Sequence, residues 1–304
     1  MDNYNIIDVK SQSILEKLSE RIKYKDQILP YMERIYKEGG KDALSDLSDR
    51  KIQNLDNCAK EIFLHEETGQ ITGANFCKHR LCPVCNYRRS TMLWHKVKQV
   101  IQNLDTDFLL ITLTVRNCKA EELQDAINHI LESFHRITNR KKWKRCFRGF
   151  IRGLEITYNY EQGTFHPHVH ILVSCSEEYF KQEYMDIHTL RQWWTESARL
   201  DYFVQVDVRK VKDKDNAIAE VVKYAVKIAD ILKEGQDEKR VQATKTLYNA
   251  VVGRRLMSTG GNIKKMAKVM KINLDDDELE TLTEKRKNSA LYIYQNGKYN
   301  LTNF

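Results

Sequence analysis

Residues 163–173 read GTFHPHVHILV, and the fold predicted for the rest of the sequence follows from the pattern of this segment. It contains three of the nine histidines of the chain and runs directly into an apolar segment. Side chains of a strand alternate between the two faces of a sheet, so His168 and His170 share one face while Val169 and Ile171 point to the other. The stretch therefore predicts a strand with one apolar face and one face that carries imidazoles.

Three more segments have the same two-faced pattern and are rich in β-branched residues, which favours strands: 107–115, 150–159 and 202–211. Helical patterns lie between and after them, at 119–142, 186–199, 215–233 and 238–256, and another covers 11–40. This order predicts an α+β fold with a mostly antiparallel central sheet and helices on one face. The segment LYIYQNGKYNL near the C-terminus predicts a hairpin with an Asn-Gly turn.

A carboxylate falls on the same side of the sheet as the histidines. If the hairpin loop centres near Glu161 or Gln162, Glu155 lies roughly opposite His168, with Cβ atoms about 5 Å apart. Glu155, His168 and His170 could then converge on one divalent cation, and two imidazoles plus a carboxylate suit Mn²⁺ or Mg²⁺. His166 has the same parity and could serve as a ligand or as a phosphate contact.

The segment 215–233 carries a polar side beside its apolar stripe. On a continuous helix Glu220 and Tyr224 are four residues apart and share a face, with Lys223 and Lys227 beside them as candidate DNA contacts. Such a face is ordinary on an exposed helix. Near a metal it has a chemical use, because a tyrosine hydroxyl can attack an activated phosphodiester and a glutamate can act as a general base.

Four cysteines fall within 28 residues, and two of them form a CxxC knuckle: Cys58, Cys77, Cys82 and Cys85. This spacing predicts a structural Zn²⁺ site with four thiolates, with His65 and His79 as rival fourth ligands. Buried thiols without metal are the alternative. Arg88 and Arg89 follow the knuckle directly and are candidate phosphate contacts.

The chain has 304 residues and a formal net charge of +8. A basic excess favours a polyanionic partner, or it simply increases solubility. The end of the predicted helix at 119–142 and the residues after it are strongly basic, and their side chains could follow a DNA backbone: Lys141, Lys142, Lys144 and Arg145. They could equally be a solvated helix end.

No apolar run reaches the ~18 residues of a membrane span, so no membrane partner is expected. The polar N-terminus does not resemble a signal peptide, which predicts a cytoplasmic protein with reduced cysteines. Along the chain we predict a helical segment, a zinc-binding module, a catalytic domain, and a C-terminal helical segment with a hairpin, at 1–50, 51–95, 96–235 and 236–304.

The segments FLLITLTVRN, HPHVHILV and EVVKYAVK stand in this order and follow FCKHRLCPVCNYRRS. Together they resemble the plasmid rolling-circle replication initiators of Gram-positive bacteria, a branch of the HUH endonucleases, over about residues 55 to 260. The resemblance implies a metal-dependent nickase that cuts one strand at the double-strand origin, becomes linked to the 5′ phosphate through tyrosine, leaves a 3′-OH primer and rejoins the strands at termination.

By position, His168 and His170 match the histidine ligands of that family, Tyr224 its nucleophile and Glu220 the glutamate that activates water in the terminating cleavage. Glu155 as third ligand rests on the hairpin register rather than on the motif. The expected partner is origin DNA, single-stranded or as a hairpin, with a host helicase and a second copy of the chain as further candidates. Two alternatives stay open: a zinc-stabilised DNA-binding regulator without catalysis, and a relaxase or transposase of the HUH type.

Overall fold

The computed structural model describes residues 9–43, 48–223, 226–233, 236–275 and 288–302. The chain divides into two compact units, and each draws on separated parts of the sequence. The first unit comprises Met1–Arg88, Glu234–Lys245 and Leu279–Phe304, and the second comprises Arg89–Lys233 and Thr246–Glu278.

The helices and strands follow one another in a mixed order. The first part of the chain contains α1 (Val9–Ala43), α2 (Asp49–Asp56), β1 (Glu61–His65), β2 (Ile71–Ala74), α3 (Pro83–Gln102) and β3 (Phe108–Thr114). After a 3₁₀ turn at Ala120–Glu122 come α4 (Leu123–Thr138), α5 (Lys141–Cys146), β4 (Phe147–Asn159), β5 (Thr164–Cys175), α6 (Ile187–Ser197) and β6 (Val206–Lys210). The last part contains α7 (Lys214–Val222), α8 (Ile228–Ile231), α9 (Asp237–Val251), β7 (Met257–Gly260), α10 (Gly261–Val269), β8 (Ser289–Gln295) and β9 (Lys298–Thr302).

The first unit contains a four-stranded antiparallel sheet in the order β2-β1-β8-β9. Its C-terminal hairpin is confirmed: β8 and β9 are joined by Asn296 and Gly297, which both have positive φ, as a tight two-residue hairpin turn requires. The predicted helix at 11–40 is also confirmed, and it buries Ile22, Ile28 and Met32 along one side.

The second unit contains the predicted sheet, with the strand order β6-β3-β5-β4-β7 and antiparallel pairing throughout. The α+β fold with a mostly antiparallel sheet is therefore confirmed. The strand predicted at 202–211 is shorter than expected, since β6 begins only at Val206. Strand β7 and helix α10 are elements that the sequence patterns did not predict.

Helices lie on both faces of this sheet, whereas the strand patterns predicted them on one. On the apolar face α4 packs through Phe134, whose ring meets that of Phe150 edge to face at 5.0 Å. The opposite face becomes apolar beyond the histidines, at Ile151 and Leu172. There it shares a buried cluster with side chains of α3, α7 and α10, including Val97, Ile218 and Ile263.

The predicted continuous helix at 215–233 is wrong, because α7 ends at Val222 and α8 begins only at Ile228. Lys223 already has an extended conformation with ψ of 166°, and Val226 forms a parallel bridge with Ile156 of β4. Pairing with the sheet thus replaces helical hydrogen bonding at this point. Tyr224 and Ala225 lie outside the described residues. The helix predicted at 238–256 likewise ends early, at Val251, shortly before Gly253 with its positive φ.

Among the described helices, none combines the length and the apolarity that crossing a membrane would require.

Candidate metal centre and cysteine cluster

The hairpin of β4 and β5 brings Glu155 and the two histidines together. Its register pairs Glu155 with His168 and Gly153 with His170, so all three functional side chains emerge on one face. The loop between the strands spans 160–163, and Gly163 has a φ of +65° there. The expected cross-strand neighbourhood of Glu155 and His168 is therefore present.

The three side chains converge on one point. Glu155 Oε2 lies 2.6 Å from His168 Nε2 and 2.7 Å from His170 Nε2. The group is buried, with Glu155 only 2% exposed, and its three ligand atoms lie within 4.8 Å of one another. Two imidazole nitrogens and a carboxylate oxygen directed at one point form a donor set that fits a divalent cation.

Both imidazoles are oriented by a partner on their other nitrogen. His168 Nδ1 donates to the carbonyl oxygen of His166 at 3.2 Å, and because a carbonyl can only accept, the proton is fixed on Nδ1. His170 Nδ1 lies 3.1 Å from Thr112 Oγ1 on the neighbouring strand β3. Such contacts hold ring orientation and tautomer in metal sites, and here they direct both Nε2 atoms toward Glu155. His166 itself lies outside the group of three.

Two lysines add positive charge around Glu155. Lys223 Nζ lies 2.6 Å from Glu155 Oε2, and Lys227 Nζ lies 3.2 Å from Oε1. Burial alone would raise the pKa of Glu155, but hydrogen bonds from His168, His170 and Lys223 outweigh it and hold the pKa far below its ordinary value. The attraction of Glu155 raises the pKa of Lys227. The carboxylate is thus ionised and surrounded by cationic groups.

Helix α7 ends directly over this group. Glu220 Oε1 lies 3.5 Å from His170 Nε2 and 2.5 Å from Lys223 Nζ, and its side chain is 39% exposed. The close approach depends on Gly153, because a Cβ atom there would lie 2.0 Å from the carbonyl oxygen of Val221. The helix end and the sheet therefore touch backbone to backbone, which sets the position of Glu220 and Lys223.

The predicted nucleophile Tyr224 falls outside the described residues. The described residues on either side of it in sequence, Lys223 and Lys227, both reach Glu155 with their side chains. Both lysines were predicted as DNA contacts, and the sequence did not indicate that they would pair with Glu155. The helix ends after Val222, and this end cannot be predicted from the spacing of the apolar residues.

The four predicted cysteines of the first unit form the second group. The sulfur of Cys58 lies 3.5 Å from that of Cys85 and 3.7 Å from that of Cys82, and Cys77 Sγ lies 3.6 Å from Cys85 Sγ. Four sulfurs around a tetrahedral zinc with bonds of ~2.3 Å stand about 3.8 Å apart, so the cluster has nearly the size that Zn²⁺ requires. The fourth member is Cys58 rather than a histidine.

The rival ligands have other partners. Nδ1 of His65 accepts from the backbone N–H groups of Glu67 and Thr68 in the turn after β1, and Nδ1 of His79 accepts from Leu81 N. Neither histidine belongs to the group that the four sulfurs form.

The surroundings of the sulfurs shift the pKa of individual thiols in opposite directions. The neighbouring thiols, Cys58 first, and the backbone N–H of Lys78 donate to Cys85 and hold its pKa well below the ordinary value. Burial raises the pKa of Cys82. The four sulfurs form a donor set that could hold a metal ion, which would favour the thiolate form of each cysteine.

The remaining predicted DNA contacts differ in exposure. Arg88 stacks its guanidinium 4.1 Å from the centroid of the Phe76 ring, while Arg89 is buried at 8% exposure. The basic residues of α5 are exposed: Lys141, Lys142, Lys144 and Arg145. Trp193 and Trp194 are both buried, so neither ring is open to a base, and Trp194 Nε1 donates to Thr114 O at 2.7 Å.

Comparison with known proteins identifies replication proteins as relatives of this chain. A family profile described as replication protein (Rep_1) matches residues 68–300. A curated relative named Protein rep, from a Bacillus species, is 32% identical over 265 residues, which cover 78% of this chain and 86% of the relative. Proteins of the same name from Bacillus amyloliquefaciens and from Streptococcus pneumoniae serotype 2 (strain D39) are each 32% identical over 75% of both chains. No solved structure matches the chain significantly.

Proposed function

Because this chain belongs to the replication protein family Rep_1, we propose that it initiates plasmid replication by nicking one strand of origin DNA. Membership of this family supports a role in plasmid replication, and a protein with this role binds origin DNA. The chemistry is our proposal, and the convergence of Glu155, His168 and His170 carries it, because this donor set meets at one buried point. The proposed activity is that of a site- and strand-specific endonuclease and strand transferase.

Glu155, His168 and His170 would hold the catalytic cation, either Mn²⁺ or Mg²⁺. When bound, the ion polarises the scissile phosphodiester and offsets the charge that develops on it. The Nδ1 contacts of both histidines hold the two rings with Nε2 directed at Glu155, and the low pKa of Glu155 keeps its carboxylate charged. These contacts thus hold the ligand side chains in position before any substrate arrives.

Tyr224 is the proposed nucleophile. Its phenolic oxygen attacks the phosphorus, a tyrosine–phosphate bond forms to the 5′ side of the nick, and the bond to the 3′ oxygen breaks. The phenolic proton passes to water, and the departing oxygen takes up a proton to become the 3′-OH primer. Because the linkage is an ester of similar energy, the reverse attack by a 3′-OH rejoins the strand.

Glu220 is the proposed general base of the terminating cleavage. Its carboxylate is partly exposed beside His170 and can accept a proton from a water molecule that attacks the phosphodiester. Lys223 lies between Glu220 and Glu155, and its ammonium group contacts both carboxylates. The lysine is also placed to attract a phosphate into this end of the sheet.

The cysteine cluster would hold a structural Zn²⁺ that stabilises the first unit. Its sulfur spacing supports this ion, and Arg88 beside the knuckle would contact a phosphate. A host helicase and a second copy of the chain stay candidate partners in replication.

The test is a covalent adduct assay with labelled single-stranded origin DNA and Mn²⁺. The wild-type protein should form an adduct that survives denaturation, and Tyr224→Phe should bind the DNA without forming one. Glu220→Gln should still form the first adduct but lose the water-driven cleavage. Binding without any adduct by the wild-type protein would instead identify a DNA-binding regulator.

A further inference from the structure

An exposed aromatic ring lies on the loop that leads into β6, the strand separated from the histidine strand β5 by β3 alone. Phe203 is 74% exposed. The guanidinium carbon of Arg191, on α6, lies 4.6 Å from the centroid of this ring. With one ring face covered by Arg191, the remaining exposure leaves the other face open.

The neighbouring residue repeats the combination of aromatic ring and arginine. The guanidinium carbon of Arg116 lies 5.1 Å from the centroid of the Tyr202 ring. The Tyr202 hydroxyl accepts a hydrogen bond from the backbone N–H of Arg116 at 3.0 Å, which fixes the loop to the end of β3. Two aromatic–arginine pairs thus stand next to each other on a loop that is held in place.

The arginines here lack the usual acidic partners. Within the part of the chain that the structure describes, neither Arg116 nor Arg191 forms an ion pair with a carboxylate, and the same holds for Arg199 on the same loop. Other surface arginines do form such pairs, for example Arg140 with Glu196 at 2.7 Å. The positive charge at Phe203 is therefore available to an anionic partner.

The location connects this surface to the metal centre. Thr114 Oγ1 donates to the carbonyl oxygen of Gln205 at 3.0 Å, and Thr114 is the direct cross-strand neighbour of His168. Adjacent strands are ~4.8 Å apart, so β6 and the histidine strand β5 are separated by about 10 Å. A short stretch of single-stranded DNA can span this distance.

We propose that Phe203, Tyr202, Arg116 and Arg191 form a stacking platform for an unpaired base of the DNA strand that the metal centre cleaves. A base would stack on the open face of Phe203, while Arg116 and Arg191 contact phosphates on either side. Aromatic rings combined with cationic side chains are the usual means of holding single strands without sequence preference. The inference rests on the proposed nicking function, and it assigns to these residues the role that the buried Trp193 and Trp194 cannot perform.

The experiment measures binding of a fluorescein-labelled single strand of about 20 nucleotides and mixed sequence by fluorescence anisotropy, without added Mn²⁺ or Mg²⁺. Stacking contributes about 1–3 kcal/mol per base, so Phe203→Ala should weaken binding roughly 5- to 150-fold. Phe203→Trp, which retains a stacking ring, should bind like the wild type. Binding of the corresponding duplex should not change, because its bases are already stacked on one another.

Salt dependence separates the two kinds of contact. Phe203→Ala should leave the slope of log affinity against log salt unchanged. Arg191→Met should reduce its magnitude by about 0.7, the value of one phosphate contact on a single strand. The matched control is Tyr184→Ala, since Tyr184 is 64% exposed and belongs to the same unit, and it should have no effect.

The platform is refuted if Phe203→Ala binds the single strand within about twofold of the wild type, or if Tyr184→Ala weakens binding equally. Its outcome is separable from that of the nicking proposal, because Phe203→Ala retains Tyr224 and should still form the adduct at saturating DNA. A wild-type protein that binds through Phe203 but forms no adduct would remove the nickase and leave the platform standing.

Discussion

Glu155 carries the decisive charge of the metal centre, since both histidines and both lysines direct their nitrogen atoms at its carboxylate. We expect Glu155→Gln to weaken Mn²⁺ binding by more than about 100-fold, because changes in outer-shell partners alone cost up to that amount. Titration of the metal, followed by electron paramagnetic resonance, measures this directly. Glu161→Gln, in the exposed hairpin loop, should bind Mn²⁺ normally, and equal affinities in all three proteins would exclude Glu155 as a ligand.

Gly153 determines how closely α7 approaches the sheet. In Gly153→Ala the new methyl group would meet the Val221 carbonyl, so the helix end has to move, and with it Glu220 and Lys223. We expect a loss of about 1–3 kcal/mol in the free energy of unfolding and roughly a 100-fold slower adduct formation, with zinc content unchanged. Thermal unfolding, metal analysis and adduct kinetics provide the three measurements.

The control for this substitution is Gly163→Ala in the loop of the same hairpin. It also strains a glycine, through its positive φ, but has no atoms within 4 Å of the added methyl group. Its adduct kinetics should stay close to those of the wild type. If both variants slow the reaction equally, the effect comes from the hairpin rather than from α7.

At the residue scale the sequence predicts most of the metal centre. Strand parity places His168 and His170 together, and the length of the hairpin loop places Glu155 opposite His168. The contact of Thr112 with His170 depends on the register between β3 and β5, which no local pattern contains. The contacts of Lys223 and Lys227 with Glu155 depend on the end of α7.

At the element scale the CxxC knuckle opens α3 and joins the start of that helix to the sheet of the first unit through Cys58 and Cys77. We expect Cys82→Ser to lose zinc and to lower the melting temperature, because a structural zinc contributes directly to folding free energy. Cys118→Ser replaces a buried cysteine outside the cluster and should retain the metal. Zinc content that is unchanged in Cys82→Ser would contradict the assignment.

Helix α5 presents its lysines to solvent, although it is only six residues long. If Lys141 and Lys144 contact DNA phosphates, the double change to Gln should reduce the salt slope of duplex origin binding by roughly 0.9 for each lysine. The same charge can be removed from α10 by changing Lys264 and Lys265 to Gln. Equal effects of the two double variants would mean that net charge alone, and no local contact, determines binding.

The break between α7 and α8 marks the limit of prediction from helical periodicity. The apolar stripe of 215–233 is real, since Ile218, Val221 and Ile228 are all buried. Periodicity does not reveal that Val226 pairs with Ile156, because the partner lies 70 residues earlier. Tertiary hydrogen bonding overrides the local helical preference here.

At the scale of the whole molecule, strands that are more than 200 residues apart in the sequence pair within the first unit. Strand β8 pairs with β1 over five residue pairs, so the C-terminal hairpin completes the sheet that begins beside the cysteine cluster. The unpaired edge of each strand has backbone groups that require a neighbouring strand. The sequence does not indicate that β1 and β8 are neighbours. The hairpin itself was predictable from Asn296 and Gly297, and its place in the sheet was not.

The most direct measurement is the site of covalent attachment after reaction with single-stranded origin DNA and Mn²⁺. The protein is digested with protease and nuclease, and mass spectrometry identifies the residue that retains a nucleotide. The proposed function predicts a phosphotyrosine-linked nucleotide on Tyr224, absent without the divalent cation and absent in His170→Ala with its zinc retained. A nucleotide attached to any other residue, or attachment that persists in His170→Ala, would contradict it.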